Sequence, residues 1–328
     1  MRPMSTRAVE EAVGAQARQA PVPPGRTVNV ADRLYAATLV AFGGLVLVVA
    51  GVIVVALAEL ARPTIAAIGP WHFALGSDWD PVSGSFGALP FIYGTLVTSA
   101  VAIVAAVPVG VGLAVFLAEM SPPALRSPVS FAVETLAGIP SVVYGLWGLF
   151  VLVPVLRGTV EPLLARVLGF LPLFQGPAIG LGYLAAGVIL AVMILPTIAS
   201  VSLEVLKTVP APLKEGALAL GATRWETVRI ASLPYARSGI LGAVLLGLGR
   251  ALGETMAVTM VIGNQPEIHA SLFSPGYSLP SVIANEFAEA VTRLHTGALA
   301  GLALVLLGLA VVLNALARLL VGRTARRP

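Results

Sequence analysis

The sequence predicts an all-α integral membrane protein with six transmembrane helices and both termini in the cytoplasm. Three observations support this. First, 57% of the 328 residues are hydrophobic and only 11% are charged, whereas about a quarter of a soluble domain is charged; mean hydropathy is +0.93. Second, six apolar runs, at about 34–61, 91–118, 129–154, 178–203, 238–263 and 297–321, are long enough to cross roughly 30 Å of hydrocarbon. None has the short alternating pattern of a barrel strand. Third, threading the chain through these runs puts fifteen of its twenty Lys and Arg residues on one side and four on the other. Arg250 is left within a span. Basic loops stay cytoplasmic, so that side holds the termini. The net charge of +4 reflects topology and calls for no nucleic-acid partner.

Each segment can be taken in turn. Residues 1–33 are rich in Ala, Arg, Pro and Gln and include Glu10, Glu11 and Asp32. They read as a disordered cytoplasmic tail, since the run after them is too long for a signal-peptide core. The loop 62–90 carries WHFALGSDWDPVSGSFGALP, with aromatics suited to a membrane surface and turn formers throughout. The third run contains ETLAGIPSVVYG. Pro140 lacks a backbone N–H and should kink or break this helix, freeing carbonyls suited to a pathway lining. Glu134 and Ser141, on either side, become candidate pathway residues, although Glu134 also reads as a simple interfacial carboxylate. The loop 155–177 includes EPLLARVLGFLPLF, expected to form a short interfacial helix. His72, His269 and His295 lack metal-ligand spacing and read as ordinary loop histidines. The chain has no cysteine, hence no disulfide or thiolate chemistry. Residues 322–328 form a short cytoplasmic tail after a membrane domain spanning 34–321.

The loop 204–236 is more than a connector. It reads EVLKTVPAPLKEGALALGATRWETVRIASLPYA. Pro212 suits the first turn of a helix over 213–220, with Glu215 favourably near its N-terminus and Gly221 as a left-handed stop. Thr223 and Glu226 have capping-box spacing, opening a second short helix that Pro234 limits. Two capped helices in one loop form a rigid knob.

The fifth run poses a different question. Within GLGRALGETMAVT (247–259), Arg250 lies 13 residues beyond Arg237 and 14 before Asn264, near mid-membrane. A charge there costs about 2.5–3.5 kcal/mol on insertion scales and usually faces a bundle interior or watery path. On a continuous helix, Glu254 would share a face with Arg250 and pair with it. The plain reading is a structural ion pair; the functional one is an anion station, because guanidinium presents a planar fork to oxyanions. Gly249 and Gly253 have GxxxG spacing, which permits close helix approach.

The inner loop resembles the EAA motif of ABC-importer permeases: Glu-Ala-Ala, three residues, Gly, nine residues, Ile, one residue, Leu-Pro. It matches at Glu215, Ala217, Gly221, Leu233 and Pro234, and departs at Gly216 and Ala231. In that family the segment forms the coupling helix that docks on a cytoplasmic ATPase, so the resemblance gives Glu215, Gly216, Ala217, Gly221, Thr223, Glu226, Leu233 and Pro234 a coupling role. FGALPFIYGTLVTS (86–99), LAGIPSVVYGLWGLFV (136–151), GLGRALGETMAVT and NEFAEA (285–290) are similar to the PstC-type permeases of bacterial phosphate importers. This resemblance covers about residues 72–300. It implies a type I ABC-importer permease fold in the bacterial cytoplasmic membrane. The implied partners are a PstA-type permease, two PstB-type ATPases and a PstS-type phosphate-binding protein outside. ATP and Mg would bind the ATPases and no cofactor this chain.

The residues agree that the chain is no ATPase, because no Gly-rich loop ends in Gly-Lys-Ser/Thr. The glycines of GLGRALGE follow no strand and make no nucleotide fingerprint. Three alternatives remain open at this point: a permease for another oxyanion such as molybdate or sulfate, a secondary transporter or channel, and a membrane-embedded enzyme. The capped loop counts against the second, and the lack of a metal cluster or nucleophile–base pair counts against the third.

Overall fold

A computed structural model describes residues 30–325, with side chains for 32–319. Most of the tail expected at 1–33, and residues 326–328, lie outside the described residues. The chain is already helical at Val30, within the last residues of the expected disordered tail, and the last helix runs to Ala325. Six helices among the described residues are long and apolar enough to cross a membrane: Asp32–Ile68, Leu89–Met120, Ser141–Leu168, Tyr183–Lys207, Arg224–Gly253 and Arg293–Leu319. The chain divides into two compact units, Met1–Val54 and Val55–Pro328. The described part of the first unit is one apolar helix. The second unit holds the core and the other five spans.

The fourth span is the most buried and forms the core, with Tyr183, Ile189, Met193, Ile194 and Ile198 at most 1% exposed. It is apolar around its whole circumference, as a central helix must be. The second span packs along it, and the fifth joins them.

Four π turns occur among the described residues: Phe116–Met120, Gly148–Leu152, Leu156–Val160 and Val228–Ser232. Each is followed two residues later by a proline: Pro122, Pro154, Pro162 and Pro234. A proline ring collides with the carbonyl four residues back and offers it no donor. Widening the preceding turn relieves both problems. At Pro154, Pro162 and Pro234 the helix therefore continues. Three expectations are corrected. The third span does not occupy 129–154 but runs from Ser141 to Leu168, and Glu161–Leu168 is its end instead of a separate interfacial helix. Pro234 does not limit the second helix of the loop, which continues into the fifth span.

The fifth span differs most from expectation. Its helix stops at Gly253, Glu254 is extended, and a single turn, Met256–Thr259, comes next. The chain then crosses the end of the fourth span as irregular backbone, with Val261, Ile262 and Phe273 almost fully buried. The first N–H groups of a helix have no internal partner. Here Gly182 N–H donates to Val261 O at 3.0 Å, Tyr183 N–H to Ser274 O at 3.2 Å and Leu184 N–H to Leu272 O at 2.8 Å. The irregular segment thus supplies what the fourth span lacks.

Beyond it, Leu279–Glu286 opens with a capping box between Ser278 and Ser281, and Leu279 N–H donates to Thr95 Oγ1 of the second span at 2.9 Å. A short hairpin, β1 (Trp79–Asp80) and β2 (Ser85–Phe86), lies at the same end. Trp79 Nε1 donates to Glu286 Oε2 at 3.0 Å, and His295 Nε2 meets the same oxygen at 3.0 Å. His295 is 7% exposed and stacks on Phe86. It is a structural tie between the hairpin and the sixth span, not the ordinary loop histidine expected.

The Thr95 contact can be tested. Thr95→Val keeps the shape but leaves the buried Leu279 N–H without an acceptor, at a cost of about 1–3 kcal/mol. The purified protein should unfold at a lower temperature than wild type in a thermal-shift assay, while Thr38→Val, on an exposed site, should leave it unchanged.

Candidate functional site

Two breaks in the helical backbone, one just before the third span and one at the end of the fifth, lie beside segments that pack together. The first lies between the helices Pro123–Ala137 and Ser141–Trp147. Pro140 cannot donate to the carbonyl four residues back, that of Leu136, and the Tyr144 hydroxyl donates to it at 2.8 Å instead. The second break is at Glu254–Thr255. The Ser141–Trp147 and Met256–Thr259 segments pack together, and the crossing is tight: a Cβ on Gly145 would lie 3.1 Å from Ala257 Cα. It would also meet Met260 Sδ at 2.5 Å, so a side chain at 145 requires Met260 to move and the two segments to separate slightly.

Arg250 occupies the last turn of the helix Leu233–Gly253, where a cation complements the exposed carbonyls of a helix C-terminus. Its Nη1 donates to Thr197 Oγ1 of the fourth span at 3.4 Å, its one hydrogen bond among the described residues. Guanidinium carries five N–H donors, so most of the fork is uncommitted. Tyr144 lies within electrostatic range of the same charge. The expected Arg250–Glu254 pair is not formed. The helix ends between them, and Glu254 Oε1 instead accepts from Ala257 N–H at 3.5 Å, at the head of the next turn. Nor do Gly249 and Gly253 serve a close helix approach within the chain: a Cβ on either would meet nothing within 4 Å.

Ser141 begins the helix after the first break and is half-buried. Glu134 is exposed and is not beside Arg250 in this arrangement. It lines a small cavity of about 60 Å³ with Ser130, Ser200, Glu204 and Lys207, one turn along the fourth span from Thr197. Arg250, Glu254 and Ser141 thus belong to the paired breaks, while Glu134 belongs to a neighbouring cleft.

At the opposite end of the fifth span, the loop's first helix and both of its expected caps are present. Ala211–Ala219 is helical with Pro212 in its first turn. It ends in a Schellman motif, with Gly221 N–H on Leu218 O at 2.9 Å and Ala222 N–H on Ala217 O at 3.2 Å. Gly221 has φ +90°, the left-handed region that favours glycine. The Thr223–Glu226 capping box is present: Thr223 N–H donates to Glu226 Oε2 at 2.7 Å and Glu226 N–H to Thr223 Oγ1 at 3.3 Å. Glu215 and Gly216 are exposed, Ala217 is buried beneath them, and Leu233 and Pro234 lead into the fifth span.

Sequence reasoning missed several partners. Leu220 is 92% exposed, and Leu213, Leu218, Trp225 and Ile230 are exposed with it. Apolar side chains left exposed in a loop otherwise rich in polar residues are candidates for contact with a partner. Leu220 and Trp225 stand inside the motif, and their hydrophobicity in a polar loop was the available signal. Thr197 and Tyr144 gave none, because a hydroxyl in an apolar run usually bonds its own helix.

Comparisons with known proteins identify the family and the fold. Residues 110–326 match the family described as binding-protein-dependent transport system inner membrane component. The chain is 46% identical over 326 residues to the phosphate transport system permease protein PstC of Mesorhizobium japonicum, covering 98% of each. It is 49% identical over 259 residues to the protein of the same name from Xylella fastidiosa, covering 78% of this chain and 80% of that one. Among solved structures, a chain of a bacterial alginate ABC transporter in complex with its alginate-bound periplasmic protein aligns with TM-score 0.57 and 18% identity, over 88% of this chain and 96% of that one. The fold is therefore that of type I ABC-importer permeases.

Gly221→Val tests the knob. A branched side chain at φ +90° adds roughly 1–2 kcal/mol of strain and should splay the two helices. Membrane insertion should stay normal, while recovery of the associated ATPase on affinity purification should fall several-fold. Wild-type recovery would show that the turn is not needed for docking.

Proposed function

The chain belongs to the family of binding-protein-dependent transport system inner membrane components, and we propose that it is the permease subunit through which a bacterial importer carries inorganic phosphate across the cytoplasmic membrane. The observation that carries this reading is identity of 46–49% to relatives named as phosphate permeases, spanning nearly the whole chain in one case. Members of such importers work with an ATPase and a substrate-binding protein. For this chain the partners are a PstA-type permease, two PstB-type ATPases holding ATP and Mg, and a PstS-type binding protein. The excess of basic residues at the knob end supports placing that end and both termini in the cytoplasm. The chain performs no covalent chemistry of its own.

In this reading, ATP-driven movement of the ATPases displaces the knob, and the fifth span's helix carries the displacement to the breaks at 138–140 and 254–255. Arg250, held loosely by Thr197, offers its fork to phosphate. Glu254 favours a protonated phosphate, because a carboxylate accepts an O–H but repels a bare oxyanion. Binding stays weak, since an ion held tightly at mid-membrane would not leave. A permease for another oxyanion shares this geometry, and the cargo of the cognate binding protein separates the two.

Two experiments test the proposal. In vesicles containing the complete complex, Arg250→Gln should lower phosphate uptake at least about tenfold, equivalent to about 1.4 kcal/mol of barrier. Arg250→Lys, which keeps the charge but loses the fork, should fall between this and wild type. Glu254→Gln should also transport poorly, with complex yield unchanged. Uptake falling only in proportion to yield would make these residues structural. Separately, the purified chain alone should neither bind nor hydrolyse ATP, and turnover by it would overturn the division of labour.

A further inference from the structure

The knob does not hang from its two ends alone. Lys214, on the exposed helix next to Glu215, meets Glu119 Oε1 at 2.7 Å. The hydroxyl of Ser232 donates to the same oxygen at 2.9 Å. Glu119 lies at the end of the second span, and Ser232 at the start of the fifth span's helix. One carboxylate oxygen therefore gathers the knob and two spans. The node is sheltered, with the Glu119 side chain 13% exposed and that of Lys214 25% exposed, and Ser232 fully buried. It sits against an apolar cluster of Val115 and Leu117 from the second span, Leu206 from the fourth, and Val209 and Val228 from the loop.

Both Glu119 and Ser232 lie on π turns, Phe116–Met120 and Val228–Ser232. A π turn inserts one residue into the helical repeat and so rotates the rest of the helix by about one residue's step around the axis. Helices without these turns would aim the two side chains elsewhere. Three other charged residues of the loop bond locally, Glu226 to Thr223 and Lys207 to Glu204. Glu119 instead reaches across elements, to the helix that carries the motif.

We propose that Glu119 is a positioning residue for energy coupling: its contacts with Lys214 and Ser232 make the second span move as one body with the knob. The inference rests on the importer reading above and concerns how knob displacement reaches the spans. Without the node, the ATPases still turn over but the helices follow them poorly.

The test uses the complete complex in proteoliposomes, with inorganic phosphate and loaded binding protein, and reads phosphate taken up per ATP hydrolysed. Glu119→Gln is expected to lower that ratio at least about threefold, with complex yield and ATP hydrolysis close to wild type. The chain has no cysteine, so Glu119→Cys with Lys214→Cys gives a unique pair. Reduced, this variant should be uncoupled in the same way; bridged by a short bifunctional thiol reagent, it should recover most of the ratio. An unchanged ratio in Glu119→Gln, a loss explained entirely by lower complex yield, or a bridged pair no better than the reduced one would each overturn the proposal. If the wild-type complex carried a different oxyanion, the substrate assignment would fail, and the same ratio measured with that anion would still decide the role of Glu119.

Discussion

Within hydrocarbon, every backbone N–H and C=O must find a partner in the protein, because no water is there to supply one. The rest of this structure depends on that constraint. The fourth span can begin deep in the protein only because the segment 261–274 returns to cap its first three N–H groups. That segment can be irregular only because the fourth span's N–H groups take its carbonyls. Each departure from helical regularity is answered by the other.

The same exchange explains the two breaks. Pro140 leaves the Leu136 carbonyl without its usual donor, and Tyr144 replaces that donor from the next helix. At Gly253 the fifth helix ends with Arg250 in its last turn, so a charge that is costly in mid-membrane stands where helix carbonyls favour a cation. The site requires no internal ion pair to tolerate Arg250. The guanidinium is tied only to Thr197 among the described residues, and most of its five N–H donors are uncommitted.

At the other end, polar groups do a different job. A capping box and a Schellman turn make the loop rigid by itself, and Glu119 joins it to helices that contain no part of the motif's first turn. Rigidity within the knob and attachment outside it are separate requirements. The loop sequence encodes the first. The second needs a residue almost a hundred positions earlier, which reads in the sequence as a charge marking the end of an apolar run.

Much was legible from the sequence because its causes are local. Six spans follow from hydropathy and length, and the knob's caps from Pro212, Gly221, Thr223 and Glu226, each acting within a few residues of itself. That Pro140 disturbs its helix is equally local, since a proline lacks its N–H wherever it stands; that it breaks the helix is not, because Pro108 and Pro196 stand inside continuous helices. The tertiary structure decided what depends on distant partners. Whether a proline stops a helix or only widens it, as at Pro154, Pro162 and Pro234, depends on packing that rewards continuing. Whether Arg250 meets Glu254 depends on whether the helix between them survives, and it ends because Val261, Leu272 and Ser274 do more by capping the fourth span than they would by extending the fifth. Periodicity describes a helix that exists; it carries no information about a backbone that leaves the helix to satisfy another one.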